Sequence, residues 1–114
     1  MEPFVYRATI IDVYDGDTCT ARIDLGFRIY IEMKLRLYGI DTPEIRGEER
    51  EKGIIVRDLV RSRILNKEVI IKTYKDGQEK YGRYLATIVY NDGSANINLN
   101  EQLLNEGNAV KMLY

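Results

Sequence analysis

Alternation of apolar and polar residues predicts β-strands along the first third of the chain. The run from Phe4 to Tyr14 is rich in β-branched and aromatic residues and ends at the turn Asp15-Gly16-Asp17. Two further runs, Thr18 to Leu25 and Arg28 to Tyr38, meet near Asp24-Leu25-Gly26 and predict a long hairpin. Apolar and polar residues alternate strictly in the third run, so one face of that strand is predicted to enter the core and the other to be wet or functional.

The third strand is predicted to end in a bend. Gly39 and the segment Asp41-Thr42-Pro43-Glu44 follow it, and proline removes a ladder donor. Arg36 and Asp41 are an odd number of residues apart, so in a straight strand they would point to opposite faces. A bend between Gly39 and Pro43 would turn Asp41 and Glu44 towards the Asp17 turn.

The second half of the chain predicts two helices and two strands. After a charged loop from Ile45 to Gly53, apolar residues at helical spacing predict an amphipathic helix that ends near Asn66. Two strands follow, Val69 to Lys75 and Arg83 to Tyr90, with a polar loop from 76 to 82 between them.

A short helix is predicted after the last of these strands. Asn98 followed by Glu101 is typical of a helix cap, and Gly107 stands where such a helix should end. The resulting order, β-β-β-α-β-β-α, predicts a mainly β, five-stranded OB-type barrel, a fold often used for oligonucleotides. At 114 residues we expect one domain spanning 1–114.

Composition narrows the possible chemistry. The chain has one cysteine and no histidine, which excludes an intrachain disulfide, histidine zinc sites and hydrolysis by a serine-histidine-aspartate triad. A reaction would have to use carboxylates, arginine, lysine, tyrosine or a hard metal ion. The net charge of −1 is not that of a typical nucleic-acid binder, whose binding surface is usually basic.

Three short segments concentrate charged residues at turns or on the polar face of a strand. They are Asp15-Gly16-Asp17-Thr18, the stretch from Arg36 to Glu44, and Lys80-Tyr81-Gly82-Arg83. Each alone has an ordinary interpretation, because short acidic side chains commonly satisfy backbone donors in turns. Together and in this order, the segments resemble the staphylococcal nuclease family. The resemblance extends from about Thr9 to about Lys111, and arginine, four residues, then Asp-Thr-Pro-Glu is its most specific part.

The resemblance implies a calcium-dependent nuclease that hydrolyses phosphodiester bonds of single-stranded or locally open DNA or RNA and leaves 3′-phosphates. By it, Asp17 and Asp41 bind Ca²⁺ with the backbone carbonyl of Thr42, a set of hard oxygen ligands suited to that ion. Glu44 would orient the attacking water. Four further residues are implied to contact the substrate: Arg36 and Arg83 as phosphate clamps, Lys80 and Tyr81 as nucleotide contacts. Asp15 would hold the turn beside the ion.

The sequence also departs from the family pattern. The hairpin between Asp17 and Arg36 is several residues longer than usual, and the loop from Glu44 to the helix is shorter. The family's third, C-terminal helix is missing, so we expect a monomer with some tendency to self-associate. We expect no signal peptide, and therefore a cytoplasmic or phage-encoded protein, or the mature form of a secreted one.

Two other functions remain open. A catalytically silent member of the same fold could bind nucleic acid or a protein without cutting, although Asp17, Arg36, Asp41, Glu44 and Arg83 are all present. A structural calcium-binding domain would account for the carboxylates but not for two arginines beside a cation. The sequence does not indicate whether DNA or RNA is the preferred substrate, or whether the strand is cleaved internally or from its ends.

Overall fold

A closed β-barrel with two helices forms the fold, in a computed structural model that describes residues 4–78 and 82–112, with the backbone alone at 75–78. The strands are β1 Val5–Asp15, β2 Thr18–Asp24, β3 Tyr30–Leu37, β4 Ile40–Asp41, β5 Glu68–Gln78, β6 Tyr84–Asn91, β7 Asn96–Asn98 and β8 Val110–Lys111. Helix α1 spans Arg50–Ile64 after a 3-10 turn at Gly47–Glu49, and helix α2 spans Leu99–Asn105.

Five strands make the barrel. They lie in the order β3-β2-β1-β5-β6, and a parallel pairing of β3 with β6, which joins Leu35 to Tyr84 and Leu37 to Ala86, closes the circle. The short strand β7 pairs antiparallel with β6 at the edge of the sheet. Strands β4 and β8 form a separate two-stranded sheet. The predicted five-stranded barrel with two helices is therefore confirmed.

The inward residues of the strands form the core, as the period-two alternation predicted, except in the outer part of the hairpin, where Ile29 and Ile31 are exposed. On β3, Leu35 and Leu37 are buried while Arg36 between them is only partly so. Helix α1 adds an apolar stripe at helical spacing, Val56, Val60 and Ile64. Arg61 of that helix donates from Nε and Nη2 to the Val13 carbonyl at 3.1 and 3.0 Å, which fixes α1 against β1.

The predicted helix ends need one correction. The Asn98 side chain accepts from the Glu101 amide, which confirms that cap, and Gly107 follows α2 at φ +79° as expected of a helix stop. Helix α1, by contrast, begins at Arg50 rather than after Gly53, so Gly53 is a buried helical residue and not part of a loop. It ends at Ile64, two residues before the predicted Asn66.

Several strand boundaries also differ from the predicted ones. Strand β5 continues to Gln78 through an irregularity after Thr73, so three residues of the predicted polar loop are extended. Strand β3 begins at Tyr30, because Phe27 and Arg28 belong to the left-handed turn of the hairpin. The strands β7, β4 and β8 were not predicted. No helix in the described part of the chain is both long and apolar enough to cross a membrane.

Candidate active site

The turn between β1 and β2 holds Asp17 in place. Asp15 Oδ1 accepts from the Asp17 amide at 3.1 Å, as expected of a residue that holds the turn. Gly16 is buried against the Asp-Thr-Pro-Glu segment, and a Cβ there would lie 2.7 Å from Thr42 Oγ1 and 2.7 Å from Val56 Cγ1. Only glycine therefore lets this turn approach the strand end that carries Asp41 and Thr42.

The Asp17 carboxylate is buried and fully engaged. Its Oδ2 accepts from the Thr42 amide at 3.0 Å, and its Oδ1 accepts from the Thr18 hydroxyl at 3.2 Å. The Asp17 carbonyl accepts from the Leu37 amide at 2.8 Å, which joins the turn to the end of β3. Burying a carboxylate costs free energy unless hydrogen bonds replace the lost water, and these contacts supply them.

Gly39 makes the bend that the sequence predicted. It has φ +81°, a left-handed conformation that favours glycine, and it separates β3 from β4. As a result, Arg36 reaches both acidic residues: its Nη2 lies 3.4 Å from Asp17 Oδ2 and 3.2 Å from Asp41 Oδ1. The same nitrogen is 3.4 Å from the Ile40 carbonyl oxygen. One guanidinium thus bridges the two predicted calcium ligands.

Arg83 reaches the same site from the start of β6. Its Nη1 donates to Thr18 Oγ1 at 3.1 Å, and that hydroxyl in turn donates to Asp17 Oδ1. Thr18 also pairs with Arg36 across the β2–β3 register. The two arginines therefore reach different oxygens of the Asp17 carboxylate, Arg36 directly at Oδ2 and Arg83 through Thr18 at Oδ1.

Glu44 is exposed, and its backbone packs against helix α1. A Cβ at Gly53 would overlap the carbonyl oxygen of Glu44, so the glycine allows α1 to pack directly on this loop. The close contact sets the position of the Glu44 backbone and leaves its side chain free of the core.

A cavity of about 820 Å³ lies over these residues. Four of the predicted site residues line it: Asp17, Arg36, Glu44 and Arg83. Asp41 and Thr42 instead line a smaller crevice of about 110 Å³, and Asp41 is connected to the main cavity through Arg36. The predicted nucleotide contacts Lys80 and Tyr81 lie outside the described residues.

Two groups in the cavity wall have shifted pKa values. Partial burial and, after it, the nearby Asp17 carboxylate together raise the pKa of Asp15 to about 7. Burial, with the charges of Asp12 and Asp15, raises the pKa of the Cys19 thiol to about 12. The thiol is therefore protonated at neutral pH and is not a reactive nucleophile.

The carboxylate oxygens of Asp17 and Asp41, which both lie near Arg36, are of a type that binds hard cations. Asp17 and Asp41 already share one positive charge at Arg36 Nη2, and the carboxylate oxygens are the ligand type that calcium prefers. No group of three or more acidic or thiol side chains that could hold an ion occurs in residues 4–78 and 82–112. An ion here would depend on backbone carbonyl, water and substrate oxygens for the rest of its shell.

Sequence reasoning assigned no role to four residues in or beside this site. Thr18 connects Arg83 to Asp17, while Gly16 and Gly53 permit the two close approaches. Asn100 joins α2 to the barrel, because its buried side chain donates to the Tyr38 and Ala86 carbonyls and accepts from the Ile88 amide. The strand alternation could have indicated Thr18, because it shares the outward face of β2 with Thr20.

Comparison with known proteins decides the family. A family model described as staphylococcal nuclease homologue matches residues 34–114, which include Arg36, Asp41, Glu44 and Arg83. The chain belongs to the staphylococcal nuclease homologue family. An uncharacterized protein of Methanocaldococcus jannaschii is 32% identical over 130 aligned positions, which cover 91% of this chain and 58% of that protein. The chain thus spans rather more than half the length of this relative.

Membership in the staphylococcal nuclease homologue family relates the chain to a nuclease. The barrel and its closed order of strands agree with that membership. The uncharacterized relative adds no activity, so the reaction has to be argued from the residues of this chain.

Proposed function

We propose that this chain hydrolyses phosphodiester bonds of single-stranded or locally open nucleic acid in a calcium-dependent reaction that leaves 3′-phosphates. The observation that carries the proposal is the convergence of Asp17, Arg36, Glu44 and Arg83 on one cavity. Two permanent cations and an exposed carboxylate around a buried carboxylate form a set suited to an anionic substrate attacked by water.

Arg36 and Arg83 would bind the phosphate. Guanidinium groups are planar and always charged, so they can hold two phosphate oxygens and stabilise the charge that builds on them as the bond to the attacking oxygen forms. Arg83 is oriented by the Thr18 hydroxyl, and Arg36 by Asp17 and Asp41. Such fixed donors need little reorganisation when the substrate reaches the transition state.

Glu44 would orient the attacking water and accept its proton. Its exposed side chain lines the cavity, and its backbone is fixed by the contact with Gly53. Since Glu44 is not buried, substrate would complete the desolvation of the site when it covers the cavity.

Asp17, Asp41 and the Thr42 carbonyl would hold Ca²⁺. The bound ion would polarise the phosphoryl oxygen and offset developing negative charge. Arg36 Nη2 now lies between the two carboxylates, so it would turn from them towards the phosphate when the ion binds. Lys80 and Tyr81 remain proposed nucleotide contacts on the basis of the resemblance.

One observation favours the silent binding module as a second candidate. Asp41 does not line the main cavity, and the guanidinium of Arg36 already pairs with both carboxylates. A protein in which this arrangement persisted would bind phosphates without assembling a metal site.

The test is cleavage of denatured DNA and of RNA at low salt, in calcium or in chelator, by the native protein and by Glu44→Gln and Arg36→Lys. We expect calcium-dependent cleavage, with each substitution lowering the rate on the order of 100-fold. Glu51→Gln, an exposed carboxylate of α1, is the matched control and should cleave normally. Binding without calcium-dependent cleavage by the native protein would reject the enzyme in favour of the binding module.

A further inference from the structure

The hairpin of β2 and β3 carries an aromatic residue that contributes nothing to the core. Phe27 lies at its tip and is 97% exposed. Its neighbours Leu25 and Ile29 close the turn, since the Leu25 amide donates to the Ile29 carbonyl at 2.9 Å and the Ile29 amide donates to the Gly26 carbonyl at 2.9 Å. Leu25, Ile29, Tyr30 and Ile31 are exposed as well, so Phe27 belongs to an apolar patch of the hairpin, and such a patch marks an interaction site more than a single exposed ring does.

The backbone at the tip is strained in a way that presents this ring. Phe27 has φ +55° and Arg28 has φ +64°, directly after Gly26 at +80°. Left-handed geometry favours glycine and asparagine, and a bulky residue there is uncommon. Stability alone would favour a different residue at position 27, so the strain is evidence for a binding role.

The outward face of the hairpin joins this tip to the cavity. Thr18 pairs with Arg36 and Thr20 with Lys34, and all four line the cavity. Further out, Arg22 stacks on the Tyr30 ring, with its guanidinium carbon 4.2 Å from the ring centre. From Arg36 to Tyr30 the face runs six residues along β3, which is roughly 20 Å.

The hairpin is also positive in a negative chain. The segment 18–37 has four cations and two carboxylates, a net charge of +2, in a chain of net charge −1. One of the two carboxylates, Asp24, is occupied in the turn, where its Oδ1 accepts from the Gly26 amide at 2.8 Å. The cations are Arg22, Arg28, Lys34 and Arg36. The negatively charged backbone of a nucleic acid is therefore attracted more strongly to this hairpin than to the rest of the protein.

We propose that this hairpin is a second contact for single-stranded nucleic acid, in which Phe27 stacks on a base of the strand that runs on from the cavity. The proposal rests on the proposed function for the presence of that strand in the cavity. Aromatic rings and arginine planes stack on unpaired bases of any sequence, and OB-type barrels bind about 4 to 16 nucleotides. Phe27 lies beyond Tyr30, so its distance from Arg36 along the hairpin exceeds roughly 20 Å, which the longer of these footprints spans.

The experiment measures binding in chelator, where cleavage is absent, with labelled single strands of about 4 and about 16 nucleotides. We expect Phe27→Ala to weaken binding of the long strand about 5-fold or more and to leave the short strand unchanged. Ile55→Ala, an exposed apolar residue of α1, is the control and should change neither. Phe27→Asn suits the left-handed backbone, so it should keep or raise the melting temperature while it weakens the long strand equally.

Equal binding of the long strand by native protein and Phe27→Ala would overturn the proposal, as would failure of the native protein to bind the long strand at all. Phe27-dependent sedimentation with anionic lipid vesicles, without an effect on oligonucleotides, would assign the tip to a membrane surface instead. The two proposals fail separately. If Phe27→Ala loses binding of the long strand but the native protein never cleaves, only the hairpin contact is supported. If the native protein cleaves but Phe27→Ala binds the long strand normally, only the active site is supported.

Discussion

Arg36 Nη2 lies 3.4 Å from Asp17 Oδ2, and the two side chains are only 15% and 5% exposed. The same nitrogen contacts the more exposed Asp41 at 3.2 Å. The buried carboxylate is therefore balanced by a guanidinium that the proposed reaction needs elsewhere. Stability and catalysis compete for one arginine, and a calcium ion would relieve that competition.

Replacing this arginine should make stability depend on calcium. Arg36→Ala leaves Asp17 with its hydrogen bonds from Thr42 and Thr18 but without a positive charge. We expect a loss of about 2 to 3 kcal/mol in the free energy of unfolding in chelator, and a much smaller loss in calcium. Urea unfolding in the two conditions measures both values.

The control for that prediction is Arg63→Ala. Arg63 is 16% exposed and forms an ion pair with Glu106 at 2.6 Å, far from the predicted ion. Its loss should cost the same in calcium and in chelator. An equal calcium response of both variants would contradict calcium binding by Asp17.

Thr18 should matter for rate through Arg83. Thr18→Val keeps the shape of the side chain but removes the hydroxyl that accepts from Arg83 and donates to Asp17. We expect kcat to fall about 10-fold, less than for loss of a donor that itself touches the substrate, with little change in KM. Steady-state kinetics on a single-stranded oligonucleotide give both constants. Thr18→Ser should recover the rate, and Thr9→Val, on β1 outside the cavity, should not lower it.

Gly53 should be required in α1 despite its low helix propensity. Alanine in an exposed helix interior normally adds about 1 kcal/mol of stability relative to glycine. At Gly53, however, a Cβ would overlap the Glu44 carbonyl oxygen, so we expect Gly53→Ala to lose about 1 to 3 kcal/mol and to slow cleavage. Thermal unfolding and cleavage rate are the measurements. A stabilised, fully active variant would show that the loop adapts and that Gly53 does not position Glu44.

Asp15 should make stability fall as the pH rises. The pKa of Asp15 is about 7 in the folded protein against 3.8 as the ordinary value, so between these pH values the folded state binds the extra proton. The free energy of unfolding therefore decreases from about pH 4 to about pH 7. Solvent screening at this partly exposed group limits the change to about 1 to 2 kcal/mol. Asp15→Asn should flatten this slope in urea titrations, and an unchanged slope would assign it to other groups.

Local patterns predicted much of the fold. The Asn98 cap and the Gly39 bend depend on neighbours in sequence, and both are confirmed. The alternation in β3 holds only from Met33 to Leu37, because Ile29 and Ile31 are exposed in the outer part of the hairpin, which no other described element covers. The early start of α1 was missed because glycine has a low helix propensity, and the sequence does not show that Gly53 packs against the Glu44 backbone. The pairing of β4 with β8 depends likewise on two-residue strands brought together by the barrel.

The site residues were indicated by their types and order, and their connections were not. The family resemblance suggested Arg36 and Arg83 as phosphate contacts, but it could not show that Arg36 bridges Asp17 and Asp41 or that Arg83 donates to Thr18. These contacts follow from the β2–β3 register and the β3–β6 closure, which join residues far apart in the chain.

The most direct measurement follows a labelled single-stranded oligonucleotide incubated with the native protein in calcium or in chelator, with identification of the new ends. Calcium-dependent products that carry 3′-phosphates are the predicted result. Intact oligonucleotide in both conditions, despite binding, would contradict the account and make the chain a nucleic-acid-binding member of its family.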